Sequence, residues 1–218
     1  MFNSIYIDQH DALYPSFLHS YLVDRAPATV TARGNLAILL NRTPAPLVAL
    51  FCSVQCSSAI ILQTYDLAHT LRDAEVTVIS GFHSPLEKEC LNVLLDGTQP
   101  VIVCPARSIE RLRLPARWKA ALLQGRLLLL SPFVEPQRRA TVARAQARNE
   151  FVAALADVLL ITHATPGGRT ERFCHTVRTW GKPLLALESH DNTHLFALGA
   201  FPIRPDTLMP LHIPTGIA

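Results

Sequence analysis

The chain has 218 residues, 49% of them hydrophobic and 17% charged, with 20 Lys/Arg against 17 Asp/Glu and a formal net charge of +3. That composition is globular and long enough for one sizeable core, or one domain with a small appendage, which excludes an intrinsically disordered chain. No apolar run approaches the ~20 residues of a membrane helix, and the N-terminus lacks a charged-then-apolar signal pattern, so a soluble, cytoplasmic protein is expected.

Residues 1–45 read as an N-terminal appendage and linker: a Tyr14-Pro15 turn, a short helix from Ser16 to Val23, and a turn at Arg33-Gly34-Asn35. Asn41–Pro46, with two prolines, reads as the linker into a main domain spanning 46–218. There the strand LVALF precedes the loop CSVQCSS and a helix over Ala59–Asp73. A strand at Val76–Ile79 ends in Ser80-Gly81, and a helix follows over Leu86–Leu95. Pro100–Val103 is a third strand, Arg107–Gln124 mixed helix and loop, and Leu127–Leu130 a fourth strand.

Arg144–Glu188 then reads as a complete half-unit. Ala147, Phe151, Val152 and Leu155 recur at helical spacing. VLLIT is an apolar run without alternation, as expected of a parallel strand buried on both faces. The loop HATPGGR follows, then a helix over Thr170–Trp180, a C-cap at Gly181 and the strand LLALE. The tail from His190 is loop-rich, with a short helix at His194–Leu198. Six short strands alternating with helices predict an α/β fold: an extended Rossmann-like, doubly wound, mostly parallel sheet with helices on both faces. Ligands in such folds bind outside the carboxyl ends of the strands. Here those ends carry Cys52–Ser58, Ser80–Ser84, Cys104–Arg107, Ser131–Phe133 and Thr162–Arg169.

Charge is unevenly spread. Between Arg107 and Arg148 ten Lys/Arg face two acids, Glu110 and Glu135, which is either an electrostatic footprint for phosphates or a solvated arginine-rich face. The five cysteines (52, 56, 90, 104 and 174) form no zinc spacing and read as buried small hydrophobes in a reducing setting. The nine histidines show no ligand spacing either, although His83 and His163 fall at strand ends. Neither a metal nor a cofactor is expected.

Six motifs in order resemble the DNA-processing protein A (DprA/Smf) family, over about Asp11 to Ile203. DALYPSFLHSYLVDRAPATVTARGN is similar to the family's "YP..L..I.D.P..L..RGN", and ISGFHSPLEKECLNVLL to "VSGLARGID..AH..AL". GRLLLLSPF is similar to "GGLLLSEFP", and RNEFVAALADVLLIT to "RNRIIAGLSDAVLVVEA". GKPLLALE resembles "GRPVFAVPG", and NTHLFALGAFPI resembles "GTN.LI.DGA.PI". The chain departs from the pattern at several points. The family's "GSR" is Cys52-Ser53-Val54, so its phosphate-binding arginine is missing. "ARGID" is His83-Ser84-Pro85-Leu86-Glu87, and the second arginine of "RNR" is Glu150. The Pro-Gly after the last strand is Glu188-Ser189, and the family's C-terminal winged helix has no match. The resemblance implies a short, diverged member that binds single-stranded DNA without chemistry, dimerises, and hands DNA to a RecA-type recombinase.

On that reading the candidate DNA and phosphate contacts are Ser53, Ser80, Gly81, Arg107, Arg117, Lys119, Arg144, Arg148, Asn149, Gly167, Gly168 and Arg169. Arg144 and Arg148 stand four apart, so both can share one helical face as phosphate clamps, or pair with Glu150 or Glu171. Asn149 fixes a loop or touches ligand. Ser80, Gly81 and the glycine loop offer backbone N–H groups to an anion. Arg107, Arg117 and Lys119 form a basic rim or are ordinary surface charges. Phe82 and Trp118 stack bases or pack in the core. A rival reading starts from Pro166–Glu171, which is similar to the PGGxGTxxE signature of LOG-type phosphoribohydrolases. It makes Glu171 a general acid/base with Arg148 or Arg169 on the phosphate of a nucleoside monophosphate. A third is a nucleotide-sensing module that binds without chemistry.

Overall fold

Of the strands, the one at Leu47–Cys52 (β3) is buried at every residue, as an uninterrupted apolar run in a doubly covered sheet requires. The computed structural model describes residues 3–41, 46–135 and 141–207. Most of the linker read at Asn41–Pro46, the arginines at 138 and 139, and the tail beyond 207 lie outside the described residues.

In chain order the strands are β1 (Ile5–Asp8), β2 (Thr29–Gly34), β3, β4 (Thr77–Ser80), β5 (Val101–Val103), β6 (Leu127–Ser131), β7 (Val158–His163), β8 (Leu184–Leu187) and β9 (Phe201–Ile203). They form one nine-stranded sheet in the order β1-β2-β6-β5-β4-β3-β7-β8-β9. The run from β6 to β9 is parallel, whereas β1 and β2 pair antiparallel along one edge. The α/β expectation therefore holds, with three strands more than sequence periodicity showed. Residues 1–45, read as an appendage, supply β1 and β2 to this same sheet. Gly34 ends β2 at φ +120, where an added Cβ would meet the Leu127 carbonyl oxygen at 2.4 Å, so only glycine lets this strand lie against β6.

The helices are α1 (Leu18–Leu22), α2 (Ala37–Leu40), α3 (Ser58–Asp73), α4 (Pro85–Leu95), α5 (Ala116–Leu123), α6 (Val142–Leu155), α7 (Arg169–Arg178) and α8 (Thr193–Ala197). Alternate residues of each strand serve opposite faces. Leu47, Ala49 and Phe51 of β3 join Leu18, Phe151, Leu155 and Phe173 in one core layer. Val48 and Leu50 join Leu67, Leu71, Leu91, Leu94 and Leu122 in the other. Local capping sets the helix starts. Ser57 accepts from the N–H of Ile60 and Thr141 from that of Arg144, while Ser84 and Glu87 form a reciprocal capping box ahead of Pro85. The chain leaves β3 towards β4 on one side and returns to β7 on the other. The topological switch point is therefore the crevice beyond the carboxyl ends of β3 and β7.

Candidate functional site

Backbone donors converge at the ends of β3 and β4, as an anion cradle needs, but a side chain of the protein already fills it. Glu87, 7% exposed, accepts from the Cys52 N–H through Oε1 at 3.1 Å. Its Oε2 accepts from the N–H groups of His83 at 2.8 Å and Ser84 at 3.2 Å. The Ser80 hydroxyl, also buried, donates to the Leu50 carbonyl at 2.7 Å and accepts from the Phe82 N–H at 3.3 Å. Ser80 is thus a strand-end tie rather than an open phosphate donor.

Arg148 is 4% exposed. It donates from Nη1 to the Cys104 carbonyl at 2.9 Å and from Nε to Asn149 Oδ1 at 2.8 Å. Burial lowers its pKa, while the Glu87 carboxylate opposes that shift. Arg148 thus points into the protein, where it meets neither Glu150 nor Glu171 and is not turned outward as an open phosphate clamp would be. Gly81 makes the space for it. A Cβ there would stand 1.2 Å from Arg148 Nη1 and 1.9 Å from Cζ, so the guanidinium would have to leave its hydrogen-bonded place. Gly81→Ala should evict the guanidinium and destabilise the fold by about 2–4 kcal/mol, measured by urea unfolding. A change below about 0.5 kcal/mol would refute this packing.

The switch-point crevice is bridged by its own loops. Ser53 Oγ donates to Thr170 Oγ1 at 3.1 Å and accepts from the Thr165 N–H at 3.0 Å, and its own N–H reaches the His163 carbonyl at 2.9 Å. Ser57 Oγ donates to Asp191 Oδ2 at 2.6 Å. The candidate Ser53 therefore stitches the β3 and β7 loops together. In the glycine loop Gly167, at φ +68, donates its N–H to Glu171 Oε2, and the Gly168 N–H goes to the Thr165 carbonyl. Glu171, the general acid/base of the hydrolase reading, is thus turned back onto its own loop.

One open cleft lies between α6 and α7, whose amino ends both rise at the carboxyl side of the sheet. A cleft of about 380 Å³ is lined by Gln146, Asn149, Arg169, Thr170, Arg172 and Thr176 over Val142, Ala145 and Phe173, with Glu150 beside them. Glu150 is neutralised by Arg25, and Arg172 donates to the Gly167 carbonyl at 2.7 Å. Arg169 is exposed at the amino end of α7.

The basic rim is dispersed. Arg107 is half-buried and its carbonyl accepts from Ser131 Oγ at 2.9 Å. Arg117 pairs with Asp96 and donates to the Asn92 carbonyl at 3.2 Å, at the carboxyl end of α4. That end lies away from the strand mouths, so of the two readings, basic rim or ordinary surface charge, the ion pair with Asp96 favours the surface charge for Arg117. Lys119 is exposed on the same short helix. Arg144 sits over the Phe133 ring, 5.2 Å from its centroid, and 3.9 Å from Glu135. Phe82 is buried and Trp118 packs against the same core layer, so both are core aromatics. His163 is a buried partner of Asn192 at 3.1 Å. Among the described residues no three His, Cys, Asp or Glu side chains gather to hold a metal, and no helix is long and apolar enough to cross a membrane.

Sequence reasoning missed Glu87, Asn192 and Arg172. Glu87 had a local signal, since Ser84-x-x-Glu87 is a capping-box spacing. Asn192 and Arg172 carried none, because a bond to the Thr162 carbonyl thirty residues away and a place in a tertiary cleft leave no local spacing.

Residues 5–192 match the family model for DNA recombination-mediator protein A. DNA processing protein A from Streptococcus pneumoniae superposes with a TM-score of 0.74 at 21% identity, over 93% of this chain and 71% of that one. Its Helicobacter pylori counterpart, described by its single-stranded DNA binding mode, gives 0.70 at 18%, over 93% and 91%. The molybdenum cofactor binding protein of Rippkaea orientalis gives 0.54 at 12%, over 78% and 96%. At these identities the likeness establishes the fold. A comparison with curated proteins finds no match by sequence.

Proposed function

The chain belongs to the DNA recombination-mediator protein A family, and on that premise we propose that it binds single-stranded DNA without sequence preference. The observation that carries the reading is the cleft between α6 and α7. Arg169 and Arg172 at the amino end of α7, and Asn149 midway along α6, supply cationic and amide donors above an apolar floor of Val142, Ala145 and Phe173. Phosphates would be held by the guanidinium groups and the positive helix ends, with bases laid over the floor. No step of covalent chemistry is needed. The Helicobacter pylori protein's single-stranded DNA binding supports the reading by kinship. A homodimer, and transfer of DNA to a RecA-type recombinase, are part of the same proposal by family likeness.

Anisotropy titration of a labelled oligo-dT strand at several salt concentrations tests it. Arg169→Ala should weaken binding about 5–10-fold and lower the slope of log affinity against log salt by about 0.7, one phosphate contact on a single strand. Unchanged affinity and slope in a folded variant would take Arg169, and with it this cleft, out of the interface.

A further inference from the structure

The convergence of donors on Glu87 bears on what the site refuses. Three N–H groups from two separate segments, Cys52 at the end of β3 and His83 and Ser84 ahead of α4, close on the two oxygens of one carboxylate at 2.8–3.2 Å. A phosphate monoester arriving at the carboxyl ends of β3 and β4 would need those same donors. Arg148 lies alongside, 4% exposed, close enough for the two charges to interact, and Gly81 alone leaves room for it. The cradle therefore has amides, a buried counter-charge and an anion already seated in it.

We propose that Glu87 is a resident anion that sets ligand specificity, holding the cradle against free phosphate monoesters so that mononucleotides are refused. A phosphate beside Glu87 would place two anions in one buried site against a single guanidinium, which is costly at low local dielectric. A phosphate replacing Glu87 would break its capping box with Ser84. Polymer phosphates avoid both costs by meeting the α6–α7 cleft outside. The inference rests on the binding reading above only for that last step.

The experiment follows melting temperature in acetate, inorganic phosphate, AMP and chloride at matched ionic strength. Wild type should respond alike to all four. Glu87→Ala should melt lower and recover by about 3–6 °C in acetate or phosphate near ten times their dissociation constants. Glu87→Gln, which keeps the space filled, should not recover. Stabilisation of wild type by phosphate or AMP overturns the proposal. So does an alanine variant that gains from none of the anions, folded or not, or one that gains from acetate alone. Oligo-dT affinity is measured in parallel. Anion rescue without any DNA binding would retain Glu87's role and sink the DNA reading instead.

Discussion

Arg148→Ala should destabilise the folded chain by about 3–4 kcal/mol, and any loss of DNA affinity should track unfolding rather than a lost phosphate contact. The guanidinium is buried and donates to the Cys104 carbonyl and to Asn149, so its removal takes away both bonds and leaves a void under Gly81. It also takes away a positive charge that interacts with the buried carboxylate of Glu87. Lysine is no substitute, because one ammonium cannot lie flat against Gly81 and reach both partners. Urea unfolding gives the stability, and anisotropy at a temperature where the variant is fully folded separates the two roles. A folded variant of near-wild-type stability with markedly weaker DNA binding would restore Arg148 as a clamp. The pair Gly81→Ala and Arg148→Ala supplies an internal control. Once the guanidinium is gone the new methyl fills part of its space, so the double variant should cost clearly less than the two single costs added.

This residue also shows where sequence legibility stops. The buried parallel strands were readable because burial on both faces leaves an uninterrupted apolar run, as in Val48–Phe51 and Leu159–Ile161. β1 and β2 were not, since both are partly exposed and carry mixed residues, as in Thr29–Gly34, so neither presents an uninterrupted apolar run. In α6 the spacing of Phe151, Val152 and Leu155 correctly marks the core face, yet Ala147 is exposed and Arg148 is inside. Periodicity ranks side chains by polarity. It cannot register that a strand-end carbonyl and a glycine surface, 44 and 67 residues away in sequence, make a polar interior site. The same limit hid the self-occupied cradle. Its donors, the N–H groups of Cys52, His83 and Ser84, come from two segments that only the folded sheet brings to Glu87.

Asn192→Ala should cost about 3 kcal/mol, the second large effect, without touching the cleft. Asn192 is fully buried; its Nδ2 donates to the carbonyls of Thr162 at 2.9 Å and Leu187 at 3.0 Å, and its Oδ1 meets His163 Nδ1 at 3.1 Å. One amide thus ties the carboxyl ends of β7 and β8 and orients the histidine beside the switch-point crevice, which is why a residue in the tail governs the strand mouths. Alanine removes three hydrogen bonds at once and leaves their partners in a dry site. Asn192→Asp sharpens the argument. A carboxylate there would turn lone pairs on two carbonyl oxygens and suffer burial, so its folded-state pKa must rise above the unfolded value. The folded state then holds the extra proton, and stability falls as pH climbs from about 4 through that raised pKa. Urea midpoints for the aspartate variant should drop between pH 4 and 7 relative to wild type. A flat difference across that range would mean that Asn192 is not the donor to these strand ends.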